Sequence, residues 1–85
     1  MYYLYILLCK DSTLYTGITT DVERRLKEHK MGTGARYTRA HGAKKMVYTE
    51  TLPTRSVALT REFEVKRLSR AAKLILIKSA RFSSS

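Results

Sequence analysis

The stretches Tyr2–Cys9, YYLYILLC, and Leu14–Thr19, LYTGIT, decide the fold of this 85-residue chain. Both are rich in aromatic and aliphatic residues, which favour buried strands. The intervening residues 10–13, KDST, are typical of a turn, so the two stretches are predicted to pair as a β-hairpin. Such a hairpin brings Tyr5 and Tyr15 close together in space.

A first helix is predicted to follow the hairpin. Thr20 and Glu23 have the Thr-x-x-Glu spacing of a capping box, in which both side chains satisfy free backbone amides at a helix start. The helix is therefore expected to begin near Asp21. Within it, Arg25 and His29 are one turn apart and border the apolar stripe, so that both can face a cleft.

Residues 31–43 are predicted to form a loop that contacts nucleic acid. The segment has three glycines, and basic residues surround Tyr37. Glycine permits close backbone approach, arginine contacts phosphate, and an aromatic ring can stack on an unpaired base. The alternative is an ordinary connector in which Tyr37 packs at the edge of the core. Residues 45–52 then alternate as a third strand, which Pro53 ends.

Two further helices are predicted after the third strand. Thr54 is the expected N-cap of a helix that extends to about Leu68, and one broad face of it holds a carboxylate among apolar residues: Ala58, Leu59, Glu62, Phe63 and Val65. Ser69 can cap a last helix, residues 70–81, whose aliphatic residues are expected to close the core, including Ala71, Leu74 and Ile75. The predicted fold is therefore α+β, in the order ββαβαα, with a three-stranded mixed or antiparallel sheet flanked by helices.

Length and composition restrict the class of protein. The chain allows one small domain, residues 1–82, with a disordered serine tail at 83–85, and leaves little room for a deep substrate cavity. Lys and Arg number 17 against 7 Asp and Glu, a formal net charge of +10, which favours a nucleic-acid partner. A lone cysteine, Cys9, and the lack of a signal peptide or bilayer-spanning run indicate a cytoplasmic location without membrane contact.

Several of these segments together resemble the GIY-YIG nucleases, most closely their small stand-alone bacterial members. Tyr3-Leu4-Tyr5 corresponds to the first motif of that family and Tyr15-Thr16-Gly17 to the second, and the similarity extends over about residues 2–73. Arg25 occupies the position of the catalytic arginine, and Glu62 that of the metal-ligand glutamate. The chain departs from the family in two ways. Tyr3 and Leu4 replace glycine and isoleucine, and the chain has no asparagine, which many members carry late in the domain near the active site.

The resemblance implies a metal-dependent endonuclease that cleaves nucleic acid, with DNA favoured. A tyrosine would act as general base, for which Tyr5 is preferred, with Tyr15 hydrogen-bonded to the water or phosphate. Arg25 would stabilise the phosphate, His29 would orient a tyrosine hydroxyl, and Glu62 would hold Mg²⁺ or Mn²⁺. Further nucleic-acid contacts are predicted for basic and aromatic side chains of the first helix, the loop and the helix that carries the glutamate: Arg24, Lys27, Arg36, Tyr37, Arg39 and Lys66.

Three alternatives compete with these assignments. A non-catalytic nucleic-acid-binding module explains the charge but not an inward carboxylate, because a carboxylate repels phosphate unless a metal ion intervenes. Glu62 has Lys66 one turn later, in the order that favours a helical ion pair. A zinc site of Cys9, His29 and His41 lacks the usual paired spacing. With no second DNA-binding module, weak sequence specificity is expected.

Overall fold

The computed structural model describes residues 1–83, with side chains up to residue 80. In chain order its elements are β1 Tyr2–Cys9, β2 Leu14–Thr19, α1 Val22–Lys30, α2 Arg36–His41, β3 Ala43–Leu52, α3 Arg55–Lys66 and α4 Arg70–Ser83. This order confirms the α+β class and adds one short helix, α2, to the predicted succession. None of the helices in the described part of the chain is long and apolar enough to cross a membrane. Of the predicted tail, Ser83 ends α4, and the last two serines lie outside the described residues.

The three strands form an antiparallel sheet in the order β2-β1-β3. In the hairpin, Tyr5 lies opposite Gly17 and Leu7 lies opposite Tyr15, as the sequence predicts for two paired strands. Strand β3 begins at Ala43, two residues before the predicted start. Because β1 is central, its side chains are covered on both faces of the sheet.

Side chains of a strand alternate between its faces, so β1 contributes to two separate clusters. One cluster, here called the aliphatic face, joins β1 to α3 and α4: Leu4, Ile6, Val65 and Ile77. The other, here called the aromatic face, lies on the α1 side: Tyr5, Leu7 and Ala43, with Tyr15, Leu26 and Met46. The sheet thus separates a mainly aliphatic core from the layer that holds the tyrosine pair.

The N-terminal caps fix where the longer helices begin. Asp21 accepts a hydrogen bond from the Arg24 amide at 3.0 Å, so the predicted capping box at Thr20 is wrong by one residue. An aspartate is favoured there because its negative charge also interacts favourably with the positive end of the helix dipole. The predicted caps of the last two helices are confirmed: Thr54 accepts from the Val57 amide at 3.2 Å, and Ser69 accepts from the Ala72 amide at 3.1 Å.

The buried stripes of α3 and α4 are narrower than predicted. On α3, Ala58 and Val65 are buried as expected, but Leu59 is exposed and Phe63 is 63% exposed, with the Arg67 guanidinium 5.4 Å from its ring centre. On α4 the core contact is made by Ile77, whereas three residues expected in the core are exposed: Ala71, Leu74 and Ile75. A sheet of three strands covers only part of each helix, so residues at the sides of the predicted stripe remain in solvent.

Candidate active site

Tyr5 lies at the centre of the sheet with its hydroxyl against the backbone of β2. It is 1% exposed. A methyl group added at Gly17 would lie 2.5 Å from the Tyr5 oxygen, so glycine is required where the two strands pair. Tyr15 is half-buried, and its ring centre is 6.3 Å from that of Tyr5. The hairpin therefore brings the two tyrosines together, as predicted.

His29 is buried beneath the tyrosine pair and does not border the apolar stripe at the surface. It is 1% exposed, and its Nε2 lies 2.7 Å from the Tyr5 oxygen. Its Nδ1 lies 2.6 Å from the Thr38 hydroxyl, which in turn donates to the Ala35 carbonyl at 3.0 Å. A methyl group at Gly34 would lie 2.6 Å from Nδ1, so glycine lets the backbone close over the ring.

These bonds define the protonation of His29. A threonine hydroxyl carries one hydrogen, and that of Thr38 is donated to a carbonyl, so its oxygen accepts from the Nδ1–H of His29. Nε2 of the neutral ring is then an acceptor, to which Tyr5 donates. Burial and the positive charge of Arg25 lower the pKa of His29, against a smaller opposing effect of Glu28. The ring is therefore neutral at physiological pH.

Arg25 lies at the edge of the same cluster. Its guanidinium donates to a Glu28 oxygen at 3.0 Å and faces the Tyr5 hydroxyl. Burial raises the pKa of Tyr5, and the hydrogen bond with Arg25 opposes that rise without cancelling it. Glu28 was not among the predicted site residues, although its three-residue spacing from Arg25 on one helix is a usable signal. The arginine is thus held from two sides while part of it remains exposed.

Glu62 approaches the tyrosines from α3. Its side chain is 19% exposed, and one oxygen lies 3.4 Å from the Lys66 ammonium, so the ion pair considered as an alternative is present. Its negative charge contributes to the raised pKa of Tyr5. A single carboxylate with hard oxygen atoms suits Mg²⁺, which proteins commonly hold through one or two carboxylates, water and substrate phosphate. Lys66 is half exposed, so its flexible side chain can move away from the carboxylate.

No group of three or more potential ligands from His, Cys, Asp and Glu is placed to hold a metal ion within the described part of the chain. The suggested zinc site therefore does not form there. Cys9 is buried in its strand, His29 is used by Tyr5 and Thr38, and His41 is paired with Asp11 at the hairpin turn.

The predicted nucleic-acid loop contains helix α2, so its residues are more ordered than expected. Arg36 and Arg39 are exposed on this helix. The ring of Tyr37 stacks on His41 with centres 4.0 Å apart and on Tyr15 at 5.6 Å, which favours packing over base stacking. The other predicted contacts flank the cluster: Arg24 and Lys27 are exposed on α1, and Lys66 adjoins Glu62.

No pattern in the sequence predicted the role of Thr38 or the close approach of Gly34 to His29. Both residues lie in the segment that was predicted to be a loop that contacts nucleic acid, and their role depends on how α2 packs on α1. The candidate site therefore has three side chains at or near the surface, Arg25, Tyr15 and Glu62. The buried hydrogen-bonded residues Tyr5, His29 and Thr38 lie beneath them.

Most of this chain matches a known family and several known proteins. The family described as GIY-YIG catalytic domain matches residues 1–75. A UPF0213 protein from Natronomonas pharaonis is 51% identical over 89% of this chain and 89% of its own length. One from Clostridium perfringens is 49% identical over 93% of this chain and 85% of its own length. A protein from E. faecalis, solved by solution NMR, is 44% identical with a TM-score of 0.64, over 95% of this chain and 86% of that one. These matches confirm the resemblance found in the sequence.

Proposed function

Because this chain belongs to the GIY-YIG catalytic domain family, we propose that it is an endonuclease that hydrolyses phosphodiester bonds in nucleic acid with a divalent metal ion. The observation that supports this proposal most directly is the placement of Arg25 beside the buried Tyr5–His29 pair. A guanidinium fixed in this way can bind a phosphate and stabilise the charge that develops on it during cleavage. The net charge of +10 favours a polyanionic substrate, and DNA is the substrate we favour.

The general base in this proposal is Tyr15. The sequence favoured Tyr5, but that residue is almost fully buried and its pKa is raised, both of which disfavour proton abstraction from water. Tyr15 is half-buried and borders the same cluster, so it can contact a water molecule at the surface. The phenolate form of Tyr15 removes a proton from that water, whose oxygen attacks phosphorus while the bond to the departing sugar oxygen breaks. The Arg25 guanidinium stabilises the negative charge that develops on the phosphate.

Glu62 would hold the metal ion, Mg²⁺ or Mn²⁺. When bound, such an ion neutralises charge on the phosphate and on the departing oxygen. The exposed arginines and lysines around the cluster would bind neighbouring phosphates and hold the strand in register: Arg24, Lys27, Arg36, Arg39 and Lys66.

The proposal is tested with labelled DNA and RNA of single-stranded, duplex and branched structure, incubated with Mg²⁺, with Mn²⁺ or with a chelator. Cleavage is expected only with metal. Glu62→Ala should abolish it and leave nucleic-acid binding intact, because only a negative charge is removed. Glu64→Ala is the matched control, since Glu64 lies on the same helix and is mostly exposed.

Two outcomes would contradict the proposal. Undiminished cleavage by folded Glu62→Ala would remove Glu62 as metal ligand. Binding without cleavage of any substrate in the panel would support the alternative, a non-catalytic basic module that binds nucleic acid. The cytoplasmic location remains a prediction from the sequence.

A further inference from the structure

A chain of hydrogen bonds links the backbone of Ala35, the N-cap residue of α2, to the Tyr5 hydroxyl. The Thr38 hydroxyl donates to the Ala35 carbonyl and accepts from Nδ1 of His29. The Nε2 atom of that ring accepts from the Tyr5 hydroxyl, which Arg25 faces. Tyr5, His29 and Thr38 are buried and the other members are partly buried, so bulk water does not replace the bonds among these three side chains.

We infer that Thr38 is a positioning residue for Arg25, because it holds His29 in the Nδ1–H tautomer and so turns the Tyr5 oxygen toward the guanidinium. This inference rests on the proposed function only for the consequence in catalysis. Thr38 does not reach the phosphate itself, since it is 1% exposed and is separated from Arg25 by the histidine and the tyrosine.

The opposite tautomer would reverse the bond to Tyr5. With the hydrogen on Nε2, His29 would donate to the Tyr5 oxygen, and the hydroxyl hydrogen of Tyr5 would have to turn elsewhere in a buried site. The Tyr5 hydroxyl can carry only one hydrogen and accept at its remaining lone pairs. The hydroxyl hydrogen of Tyr5 would then point toward the side where Arg25 lies. The Arg25 guanidinium would lose the Tyr5 oxygen as a well-oriented acceptor.

The surroundings of Thr38 fit this role better than a role in packing alone. Its hydroxyl accepts one hydrogen bond from His29, at 2.6 Å, and donates one to the Ala35 carbonyl, at 3.0 Å. Gly34 closes over Nδ1, where an added methyl group would lie 2.6 Å away, so the ring has little room to rotate out of this geometry. A valine would fill the same space without an acceptor for the Nδ1 hydrogen.

The first test compares Thr38→Val with Thr38→Ser. Serine keeps the hydroxyl and should retain most of kcat. Valine should lower kcat by roughly 10- to 100-fold with little change in KM, less than the roughly 10⁴-fold effect of losing the tautomer-setting aspartate in serine proteases. Thr38→Val added to Arg25→Ala should cause little further loss of kcat, because both changes remove the same contribution, that of a correctly positioned Arg25. Equal kcat for the valine and serine variants, or full additivity with Arg25→Ala, would overturn the inference.

The second test does not depend on catalysis. Long-range ¹⁵N–¹H NMR correlations of the His29 ring report which nitrogen carries the hydrogen. The wild-type chain and Thr38→Ser should show Nδ1–H, and Thr38→Val should show a substantial Nε2–H population. If the wild type shows Nε2–H, the inference is wrong even where the valine variant does not fold. If the wild type shows Nδ1–H but cleaves no nucleic acid, the proposed function fails while the tautomer assignment stands.

Discussion

The two faces of strand β1 are only one residue apart in sequence but depend on different interactions. On the aliphatic face, Leu4 and Ile6 pack against side chains of α3 and α4, and non-directional apolar burial stabilises the fold. On the aromatic face, Tyr5 is equally buried but is bound through its hydroxyl to His29. One face therefore depends on volume, and the other on the direction of individual hydrogen bonds.

This difference implies that the two faces tolerate different changes. Truncation of Leu4 to alanine should cost about 2–5 kcal/mol of stability and leave the activity of the folded fraction intact. Removal of one hydroxyl on the aromatic face removes few packing contacts, yet it should greatly lower the rate of cleavage. The following predictions test this separation, from the largest expected effect to the smallest.

The largest effect is expected for the same substitution at two tyrosines. Tyr15→Phe on the aromatic face should lower the cleavage rate by roughly 10²- to 10⁴-fold, since it removes the proposed general base. Tyr48→Phe on the aliphatic side is the matched control. Its hydroxyl donates to Glu50 at 2.5 Å, away from the tyrosine pair, so the rate should not change. Single-turnover cleavage rates measure both. Equal losses would show that the faces are not functionally separate.

A somewhat smaller effect is expected at the arginine. Arg25→Ala should lower the rate by roughly 10²-fold or more, as loss of one preorganised stabilising group does elsewhere. If Tyr5 acts by positioning Arg25, Tyr5→Phe should cause much of the same loss, and the double variant should be no slower than Arg25→Ala alone. Multiplying losses in this double-mutant cycle would give Tyr5 a separate role, including that of general base.

The pH dependence of cleavage should report His29. The pKa of this buried ring is below its ordinary value of 6.5, so the neutral form that accepts from Tyr5 persists through pH 6.5. As pH is lowered, the rate should show an additional fall of about tenfold per pH unit only below the lowered pKa of His29, because the charged ring can no longer accept the hydrogen bond from Tyr5. His29→Gln should be slower and lack this limb. An unchanged limb in the variant would assign it to another group.

The aliphatic face was largely predictable from sequence, and the reason is its periodicity. The alternation of side chains between the two faces of β1 follows from strand geometry. The three- and four-residue spacing of apolar residues around Val65 follows from helix geometry. The strand pairing, two of the three helix caps and the burial of Cys9 were predicted correctly for the same reason. The errors at Phe63 and Ile75 arose because periodicity gives the direction of a stripe but not the width of the sheet that covers it.

The aromatic face was predicted only in part. The hairpin register brings Tyr5 to Tyr15, and the spacing on α1 places Arg25 and His29 on the same side. The support beneath them could not be predicted, because the bond between Thr38 and His29 joins two elements through a tertiary contact. No local pattern marks a six-residue helix in a segment with three glycines.

A smaller effect should appear in stability when threonine is replaced by valine on the aliphatic face. Thr16 pairs with Ile6 and is buried there, and its hydroxyl has no hydrogen-bond partner within the described residues. Removal of an unpaired buried hydroxyl should raise the unfolding free energy by about 1–2 kcal/mol. Thr38→Val should lower it by a similar amount, since the His29 donor loses its partner. Urea denaturation of the two variants measures both. If both variants changed the unfolding free energy in the same direction, the proposed difference between the two faces would be contradicted.

The smallest effect concerns which side of the molecule meets the substrate. If nucleic acid lies along the aromatic face, Arg36→Ala and Arg39→Ala should each lower the slope of log affinity against log salt concentration by roughly one for duplex DNA. Both residues are exposed on α2, beside the cluster. Lys78→Ala is the matched control, because Lys78 is an exposed basic residue on α4, the helix that contributes Ile77 to the aliphatic face and no residue to the proposed active site. Its slope should equal that of the wild type in fluorescence anisotropy titrations across salt concentrations. A reduced slope for Lys78→Ala with unchanged slopes for the two α2 variants would place the bound strand on the opposite side of the sheet, away from the proposed active site.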